Sequence, residues 1–175
     1  NRNKQQIIVF YSTGMQSAVG FVNGKKQSLV ADSLLLNDKK ASKFQLEGAK
    51  VTYGIEEAKN YALDTLSLTH ALLPDESGPL HGVGENFLFH DKRIILVGKI
   101  PRPQGNYRRL EADYLVIRNN PNFRIDDLAR LYDPGLIIFD CSNSVYKTEK
   151  WLAECKKAGF KAYSIKTSGA YVVEL

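Results

Sequence analysis

The chain has 175 residues, of which 43% are hydrophobic and 25% charged, and this composition excludes a disordered tail, a collagen-like fibre and a disulfide-stapled miniprotein. Its length predicts a single domain spanning residues 1–175. With 24 Lys and Arg against 19 Asp and Glu, the formal net charge is +5, which is compatible with an anionic partner without requiring one. The three histidines are too few to build a binuclear zinc site largely from imidazole.

We expect no part of the chain to cross a bilayer or to direct secretion. The longest apolar runs, such as residues 7–11 and 136–139, have the length of strands rather than the roughly 20 residues of a membrane span. Residues 1–6 are polar and lead directly into a strand, so they do not resemble a signal peptide. Because the first residue is Asn rather than Met, we expect a domain excised from a larger protein.

The first part of the chain predicts an antiparallel meander followed by a helix. Three segments are rich in β-branched and aromatic side chains: residues 7–11, 18–22 and 28–31. Asn23-Gly24 between the last two is typical of a hairpin turn. Over residues 34–53, apolar side chains recur at spacings of three and four, which indicates a helix. The next stretch leaves helix and strand open, because residues 56–59 have helical composition whereas residues 65–69 alternate like a strand.

The second part predicts a hairpin and then an alternation of strands and helices. Residues 74–84 contain three glycines and two prolines and predict a loop, and residues 87–97 predict the hairpin. After a basic loop the expected elements are strands 113–117, 135–139, 161–165 and 170–173 and helices 125–132 and 145–157. The last helix has cap residues, Asn143 or Ser144, before it and a Gly159 stop after it. The fold class is therefore α/β (α+β), a layered sandwich with helices outside paired sheets.

Local motifs in the chain do not predict an enzyme. Gly98-Lys99 is not a phosphate-binding loop, because Ile100 follows where Ser or Thr would be needed. Asp126-Asp127 stand in the first turn of a helix, where carboxylates complement the helix dipole. The histidines are spaced by eleven and nine residues, so no two of them form a metal-binding pair on one element: His70, His81 and His90.

Further polar and sulfur side chains have structural interpretations. The residues Ser142, Asn143 and Ser144 have no histidine nearby in the sequence to act as a base, and we predict that they cap the following helix. We expect Cys155 to be buried on that helix, since Cys behaves as a small hydrophobe in protein cores. Cys141 follows a strand with nothing basic beside it in the sequence, so we expect inert packing there as well.

The loop over residues 101–109 mixes cations with an aromatic side chain. This composition is typical of grooves for single-stranded nucleic acid, in which cations bind phosphates and a ring stacks on a base. A solvated loop is the alternative interpretation. The candidate nucleic-acid contacts are Arg102, Tyr107, Arg108, Arg109 and, beyond the loop, Arg118.

Three stretches of the chain follow the order of segments in a known family. Residues 9–18 and 29–33 correspond to an opening strand with a Gly-Gln-Gly-Asp-Ala turn and a Leu-Ile-Asp-Thr-Gly corner. Residues 95–99 correspond to a hairpin that ends in Gly-Asp. Residues 113–121 and 136–144 correspond to a buried strand running into Gly-His-His-Gly-Ser and a later strand with an Asn-rich end. In this order the chain resembles the extramembrane C-terminal domain of ComEC-type competence proteins, which implies a metallo-β-lactamase-like αββα sandwich, in a reduced version.

The chain departs from that family at the positions that hold metal. The HxHxDH ligand cluster is absent, Asn119 and Asn120 stand where members keep His, and Lys99 replaces the Asp that bridges two metal ions. An ammonium group within a few ångströms of a metal cation would repel it by several kcal/mol. The resemblance therefore implies a vestigial site with no metal, no cofactor and no catalytic residue. Its expected members are Ser17, Asp32, Lys99, Asn119 and Asn120.

The resemblance also implies a role. The family forms the inner-membrane channel that carries one DNA strand into the cell, and we expect this chain to be a non-catalytic, extracytoplasmic soluble domain of such a plasma-membrane protein. Its expected partners are the channel part of the same protein, other uptake proteins and single-stranded DNA. Two alternatives stay open, a single-stranded DNA-binding module and a residual nuclease or phosphodiesterase that uses Ser142 or Asp32. The structural interpretation of Asp32 is a hydrogen bond that closes a strand corner.

Overall fold

The computed structural model describes residues 2–73, 78–102, 104–106 and 108–175. Eleven strands and six helices lie in those residues. The strands are β1 (Gln6–Phe10), β2 (Ala18–Asn23), β3 (Lys26–Ala31), β4 (Glu57–Ala62), β5 (Leu80–Val83), β6 (Asn86–Phe89), β7 (Lys92–Val97), β8 (Leu110–Ile117), β9 (Tyr132–Phe139), β10 (Ala162–Ser164) and β11 (Tyr171–Glu174). The helices are α1 (Ser33–Asn37), α2 (Lys39–Tyr53), α3 (Leu63–Thr69), α4 (Ile125–Leu131), α5 (Val145–Ala158) and α6 (Ile165–Ser168).

The strands form two sheets. The first has the order β11-β1-β2-β3-β4 and the second has the order β10-β9-β8-β7-β6-β5. Strands β1, β2 and β3 form the predicted antiparallel meander, whereas β7, β8, β9 and β10 are parallel. Parallel strands covered on both faces need apolar side chains in succession, which explains the continuous buried runs 115–117 and 137–139.

Buried apolar side chains form three layers. Phe21 and other large side chains fill the space between the two sheets. Outside the first sheet, α1 and α2 pack through Leu35 and Leu46. Outside the second sheet, α4 and α5 pack through side chains that include Leu128 and Trp151. The order is helix, sheet, sheet, helix, so the predicted α+β class and the layered sandwich are confirmed.

Capping residues set the ends of the two long helices. The predicted helix over 34–53 is divided at Asp38, whose side chain accepts the backbone N–H groups of Lys40 and Ala41 and so begins α2. Helix α5 begins after Ser144, as predicted, and ends at Gly159, whose φ of 82° favours glycine. Within the described residues, no helix combines the length and the apolar character that crossing a membrane requires.

Residues 56–69, for which the sequence leaves helix and strand open, form a strand and then a helix, the reverse of what their local composition indicates. Strand β4 pairs in parallel with β3 at the edge of the first sheet, so its charged side chains face solvent and imitate helical composition. The following segment is α3, which buries Leu63 and Leu66, whereas Leu68 is 84% exposed. The apparent alternation of residues 65–69 was therefore a helical spacing of three.

The predicted loop over residues 74–84 is wrong in part. Residues 74–77 lie outside the described chain, and residues 80–83 form β5 against β6. Gly82 lies within this strand. A Cβ at this position would lie only 2.7 Å from Cδ1 of Phe87, so the packing of the ring requires glycine. This glycine therefore permits the close approach of a packed ring rather than a turn.

Candidate functional site

The carboxyl ends of three neighbouring strands meet at one edge of the second sheet. Ile117 of β8 is in register with Val97 of β7 and with Phe139 of β9. The residues that come next are therefore neighbours across the edge: Gly98, Arg118 and Asp140. In sheets of this kind, the carboxyl ends of parallel strands are where ligand sites form, and we take this edge as the candidate site.

The first sheet brings two further polar residues to the same place. Ser17 directly precedes β2 and Asp32 directly follows β3, and the antiparallel pairing of these strands places the two residues side by side. The backbone N–H of Asp32 donates to Ser17 O at 3.0 Å, and the N–H of Ser17 donates to Asp32 Oδ2 at 2.7 Å. Asp32 thus closes the strand corner, as its structural interpretation predicts.

Arg118 bridges the two sheets through its buried guanidinium group, with only 4% of the residue exposed. Its Nη1 donates to Glu85 Oε1 at 2.9 Å, and its Nη2 donates to the carboxylate of Asp32. Its Nε donates to Ser17 Oγ at 3.1 Å. One side chain therefore joins the end of β8, the turn between β5 and β6, and the corner of the first sheet. We call this group the Arg118 cluster: Arg118, Ser17, Asp32, Glu85 and Asp140.

Asp140 completes the cluster from the end of β9. Its Oδ2 accepts the hydroxyl of Ser17 at 2.5 Å, and its Oδ1 accepts the backbone N–H of Ser142 at 2.9 Å. Burial raises the pKa of Asp140 from 3.8 to about 6, although the hydrogen bonds from Ser142 and Ser17 oppose this rise. The cluster contains one cation and three carboxyl groups, so its balance of charge depends on Arg118.

Asn119 and Asn120 form a strained corner beside the cluster. Both have a left-handed backbone, with φ of 61° and 53°, a conformation that Asn tolerates better than most side chains. The N–H of Asn119 donates to Ser142 Oγ at 2.7 Å, and the side chain of Asn120 accepts the N–H of Ser144 at 3.1 Å. The two residues therefore attach the end of β8 to the start of α5.

Lys99 is placed differently from the other predicted members of the vestigial site. Its side chain is exposed and makes no hydrogen bond or ion pair within the described chain. Its neighbour Gly98 is the residue that lies against the site, since a Cβ there would lie 3.5 Å from Asn119 Nδ2 and 3.7 Å from Arg118 Cγ. The structure thus joins Ser17 and Asp32 through Arg118, places Asn119 and Asn120 directly after Arg118 in the chain, and leaves Lys99 outside these contacts.

The Arg118 cluster does not fit the pair of metal ions that the family resemblance implies for intact members. A divalent cation here would require carboxylate or imidazole donors. The carboxylates of Asp32 and Glu85 instead face the guanidinium, which is protonated at any ordinary pH. Across residues 2–73, 78–102, 104–106 and 108–175, no three His, Cys, Asp or Glu side chains are grouped as metal ligands.

Ser142 is committed to holding the corner after β9. Its hydroxyl donates to Asp140 Oδ1 at 2.5 Å and accepts the N–H of Asn119 at 2.7 Å. Asn143 also serves the corner, because its amide donates to Ile117 O at 2.7 Å and its Oδ1 accepts the N–H of Asn120. Ser144 caps α5, as predicted.

A basic crevice of about 510 Å³ lies on the outer face of the second sheet. Arg102 reaches it from the loop after β7, Arg124 from the start of α4 and Lys150 from α5. Phe123 forms part of its wall and stacks on Trp151 with 4.8 Å between the ring centroids. Three cationic side chains, one aromatic ring and one carboxylate, that of Asp127, therefore line the same crevice. We call this surface the basic crevice: Arg102, Phe123, Arg124 and Lys150.

The predicted nucleic-acid contacts are distributed unevenly. Arg102 lines the basic crevice, and Arg108 and Arg109 are exposed in the loop before β8. Tyr107 lies outside the described residues. Arg118 needs correction, because it is buried and its guanidinium is bound by two carboxylates, so it does not present itself to a phosphate.

Both cysteines are buried, as expected. Cys155 is 0% exposed, and burial raises the pKa of its thiol to about 12, which leaves it unreactive. Cys141 is 1% exposed and unpaired.

Sequence reasoning missed the centre of the candidate site. The sequence predicts Arg118 as a nucleic-acid contact and predicts no role for Glu85 or Asp140. One signal was present, since Arg118 and Asp140 each follow directly on an apolar strand in the alternating half of the chain. The partners of Arg118 cannot be deduced in this way, because Asp32 and Ser17 lie 86 and 101 residues away.

Comparison with known proteins identifies a family. The family model described as the ComEC C-terminal domain matches residues 8–175, which is nearly the whole chain. No curated protein and no solved structure gives a significant match.

Proposed function

Because the chain belongs to the ComEC C-terminal domain family, and so to the competence proteins of DNA uptake, we propose that this domain serves uptake without hydrolysing DNA. The observation that carries the proposal is the position of Arg118. Its guanidinium lies among Asp32, Glu85 and Ser17 at the edge where a metal-dependent hydrolase of this architecture would hold its cations.

The chemistry of a guanidinium group supports this proposal. A metal ion in a hydrolase polarises the phosphoryl oxygen and lowers the pKa of a bound water, and both actions need an open coordination position. A guanidinium has no coordination position and loses no proton at ordinary pH. The Arg118 side chain is in addition covalently fixed and covered by protein, so it supplies positive charge to the carboxylates without supplying an activated water.

The Arg118 cluster has a structural role instead. It ties the ends of β8 and β9 in the second sheet to the corner between β2 and β3 in the first. In the proposed role the two sheets stay joined at this edge, and no substrate enters between them. The domain then acts as a rigid body that guides DNA or supports the channel. We propose that it lies on the extracytoplasmic face of the inner membrane, with the channel part of the same protein and other uptake proteins as its partners.

We expect the purified chain to hold no stoichiometric zinc or manganese and to leave both single-stranded and duplex DNA intact. Elemental analysis after dialysis against each metal and a nuclease assay with and without chelator measure these two properties. Two tightly held metal ions per chain, or activity that a chelator abolishes, would contradict the proposal. Chelator-resistant activity lost in the Ser142→Ala or Asp32→Asn variant would instead support the residual hydrolase.

A second candidate function, binding of single-stranded DNA, is favoured by the basic crevice. Cations from three separate elements line this crevice together with Phe123, and cations with an aromatic ring are the combination that binds a phosphate backbone and stacks on a base. The ion pairs of these cations with neighbouring carboxylates are long, at 3.4 Å for Arg124 with Asp126 and 3.8 Å for Lys150 with Glu154. Such exposed pairs cost little to exchange for phosphates. This function is compatible with the loss of hydrolysis.

We expect the triple variant R102A/R124A/K150A to bind a single-stranded oligonucleotide at least tenfold more weakly than the unaltered chain. The slope of log K against log salt should fall by about 2, since each lost phosphate contact contributes about 0.7. Fluorescence anisotropy at several salt concentrations measures both quantities. The matched control is K40Q/K43Q/K50Q, which removes three exposed lysines from α2, outside the other sheet. Equal weakening in both variants would show that net charge, rather than the crevice, binds the strand.

A further inference from the structure

Helix α2 has one buried face and one face that nothing in the described chain covers. Its inner face packs on the first sheet through Leu46, which is 4% exposed, and through the half-buried Ala49 and Tyr53. Its outer face carries Phe44, which is 89% exposed, and Val51, which is 77% exposed. These two side chains are seven residues apart, two helical turns, and therefore lie on the same side of the helix.

The surface beside Phe44 is lined by Asp38 and Glu47 as well as by Lys40 and Lys43, and the more numerous charged side chains along α2 are lysines. Helix α2 contains four of them, and their ammonium groups make no ion pair within the described chain: Lys39, Lys40, Lys43 and Lys50. The one carboxylate on the helix, Glu47, lies four residues from Lys43 without pairing with it. By contrast, Lys25 is paired with Glu56 at 2.6 Å. Helix α2 and its cap thus carry four lysines against two carboxylates, Asp38 and Glu47, beside an exposed aromatic ring.

We propose that the outer face of α2 lies on an anionic lipid surface. The ring of Phe44 and the methyl groups of Val51 enter the boundary between headgroups and acyl chains, and the lysines contact lipid phosphates. This pairing of Phe with Lys is the composition of helices that lie in the plane of a membrane interface. The inference goes beyond the proposed function and does not depend on whether DNA is hydrolysed or bound.

The shape of the outer face favours lipid over a protein partner. A stable protein interface needs about 800 Å² and 20 to 30 residues on each side, whereas this face offers one helix with two apolar side chains. The charges complement headgroup phosphates, which can approach each lysine independently. The family match places the chain in a membrane-associated protein, so such a surface is within reach of the domain. A nucleic acid would engage the lysines but would gain little from Val51.

Contact of α2 with lipid would determine which layer of the fold faces away from the membrane. Helix α2 covers the outer face of the first sheet, and α4 and α5 cover the outer face of the second. A domain that rests on lipid through α2 therefore turns the basic crevice, on the opposite layer, away from the membrane. The two surfaces can be occupied at the same time without competing.

Co-sedimentation of the 175-residue chain with vesicles tests the proposal. We expect binding to vesicles of phosphatidylglycerol and phosphatidylcholine, little binding to pure phosphatidylcholine, and release at high salt. The Phe44→Ser variant should bind about tenfold more weakly, because the burial of an exposed ring is lost. The K40Q/K43Q variant should bind about twentyfold more weakly, since each lysine near an anionic surface contributes roughly fivefold.

The matched control is K156Q/K157Q, which removes two exposed lysines from α5 on the opposite layer and should bind anionic vesicles like the unaltered chain. Phe44 is exposed, so the F44S variant should keep its unfolding midpoint, and circular dichroism verifies this. No binding to anionic vesicles, equal binding to pure phosphatidylcholine, or equal loss in the control would overturn the proposal. Self-association that F44S abolishes in sedimentation velocity, without vesicle binding, would show that a second copy covers this face.

Discussion

The Arg118→Ala substitution is expected to lower the free energy of unfolding by about 3 to 5 kcal/mol, the range observed when one partner of a buried ion pair is removed. The side chain is buried, and its three nitrogen donors each serve a different acceptor in the cluster. Without it, the carboxylates of Asp32 and Glu85 lose their compensating charge, and Ser17 loses a donor. The cost of the uncompensated charges exceeds that of the cavity.

Urea unfolding of Arg118→Ala and of two companion variants measures this effect. Arg118→Lys keeps the charge but not the forked geometry that reaches several acceptors at once, and we expect it to be intermediate. Arg124→Ala is the matched control, because Arg124 also pairs with a carboxylate, Asp126, but its side chain is 80% exposed. We expect the control to change stability by less than about 1 kcal/mol. Equal losses for R118A and R124A would show that the cluster does not hold the two sheets together.

The consequence for function separates this cluster from a metal site. If the role of Arg118 at this edge is structural, R118A should lose stability without acquiring tight metal binding, because the remaining carboxylates have no imidazole beside them. Stoichiometric zinc bound by R118A but not by the unaltered chain would show instead that Arg118 blocks an otherwise competent site. The same protein preparation therefore supports both measurements.

Much of the fold follows from local sequence patterns. The meander of β1 to β3 follows from three β-rich segments and the Asn23-Gly24 turn, and the parallel strands follow from short apolar runs alternating with helices. Helix α5 is marked at both ends, by Ser144 and Gly159. In each case the deciding interaction is within a few residues along the chain, which is why the pattern alone predicts it.

The features that the sequence leaves open or mispredicts have a common physical cause, since each depends on neighbours that are distant in the sequence. Strand β4 has helical composition, and only its pairing with β3 makes it a strand. The residues 80–83 contain a glycine that serves contact with Phe87 rather than a turn. The Arg118 cluster is the clearest case, because Ser17 and Asp140 form a hydrogen bond across 123 residues. No periodicity connects such positions.

For Lys99, the family resemblance indicates the edge of the sheet at which Arg118 lies, but it indicates the wrong residue as the source of positive charge there. The strand β7 delivers Gly98 to the edge beside Arg118, and Lys99 follows with an exposed side chain. In the proposed metal-free site, the positive charge is therefore that of Arg118, at the end of β8. Asn119 and Asn120 stand at the predicted edge, where their left-handed backbone and hydrogen bonds to the start of α5 make them structural.

Asp140 is expected to make the stability of the domain depend on pH between about 4 and 6. Burial raises the pKa of its carboxyl group from 3.8 to about 6, so the folded protein holds this proton more tightly than the unfolded chain does. The resulting contribution to the free energy of unfolding is fully present below pH 4. It is lost as the pH rises through about 6, and the total change is about 3 kcal/mol.

Other carboxyl groups act in the opposite sense. The hydrogen bond from Ser33 is the main cause that lowers the pKa of Asp64, so Asp64 adds stability above pH 4 that is lost on acidification. The total pH profile therefore mixes both signs, and the contribution of Asp140 has to be isolated by difference. The Asp140→Asn variant cannot titrate at this position but retains an oxygen to accept the N–H of Ser142.

Urea unfolding of the unaltered chain and of Asp140→Asn at pH 4, 5, 6 and 7 isolates this contribution. The difference in unfolding free energy, unaltered minus variant, should fall by about 2 kcal/mol from pH 4 to pH 7, with most of the change below pH 6.5. The exposed Asp133 offers the control, and D133N should give a flat difference. A flat difference for D140N as well would mean that Arg118 holds Asp140 ionised throughout. The cluster would then be a fully charged network, and the same buried carboxylate would strengthen rather than oppose the attachment of β9 to the first sheet.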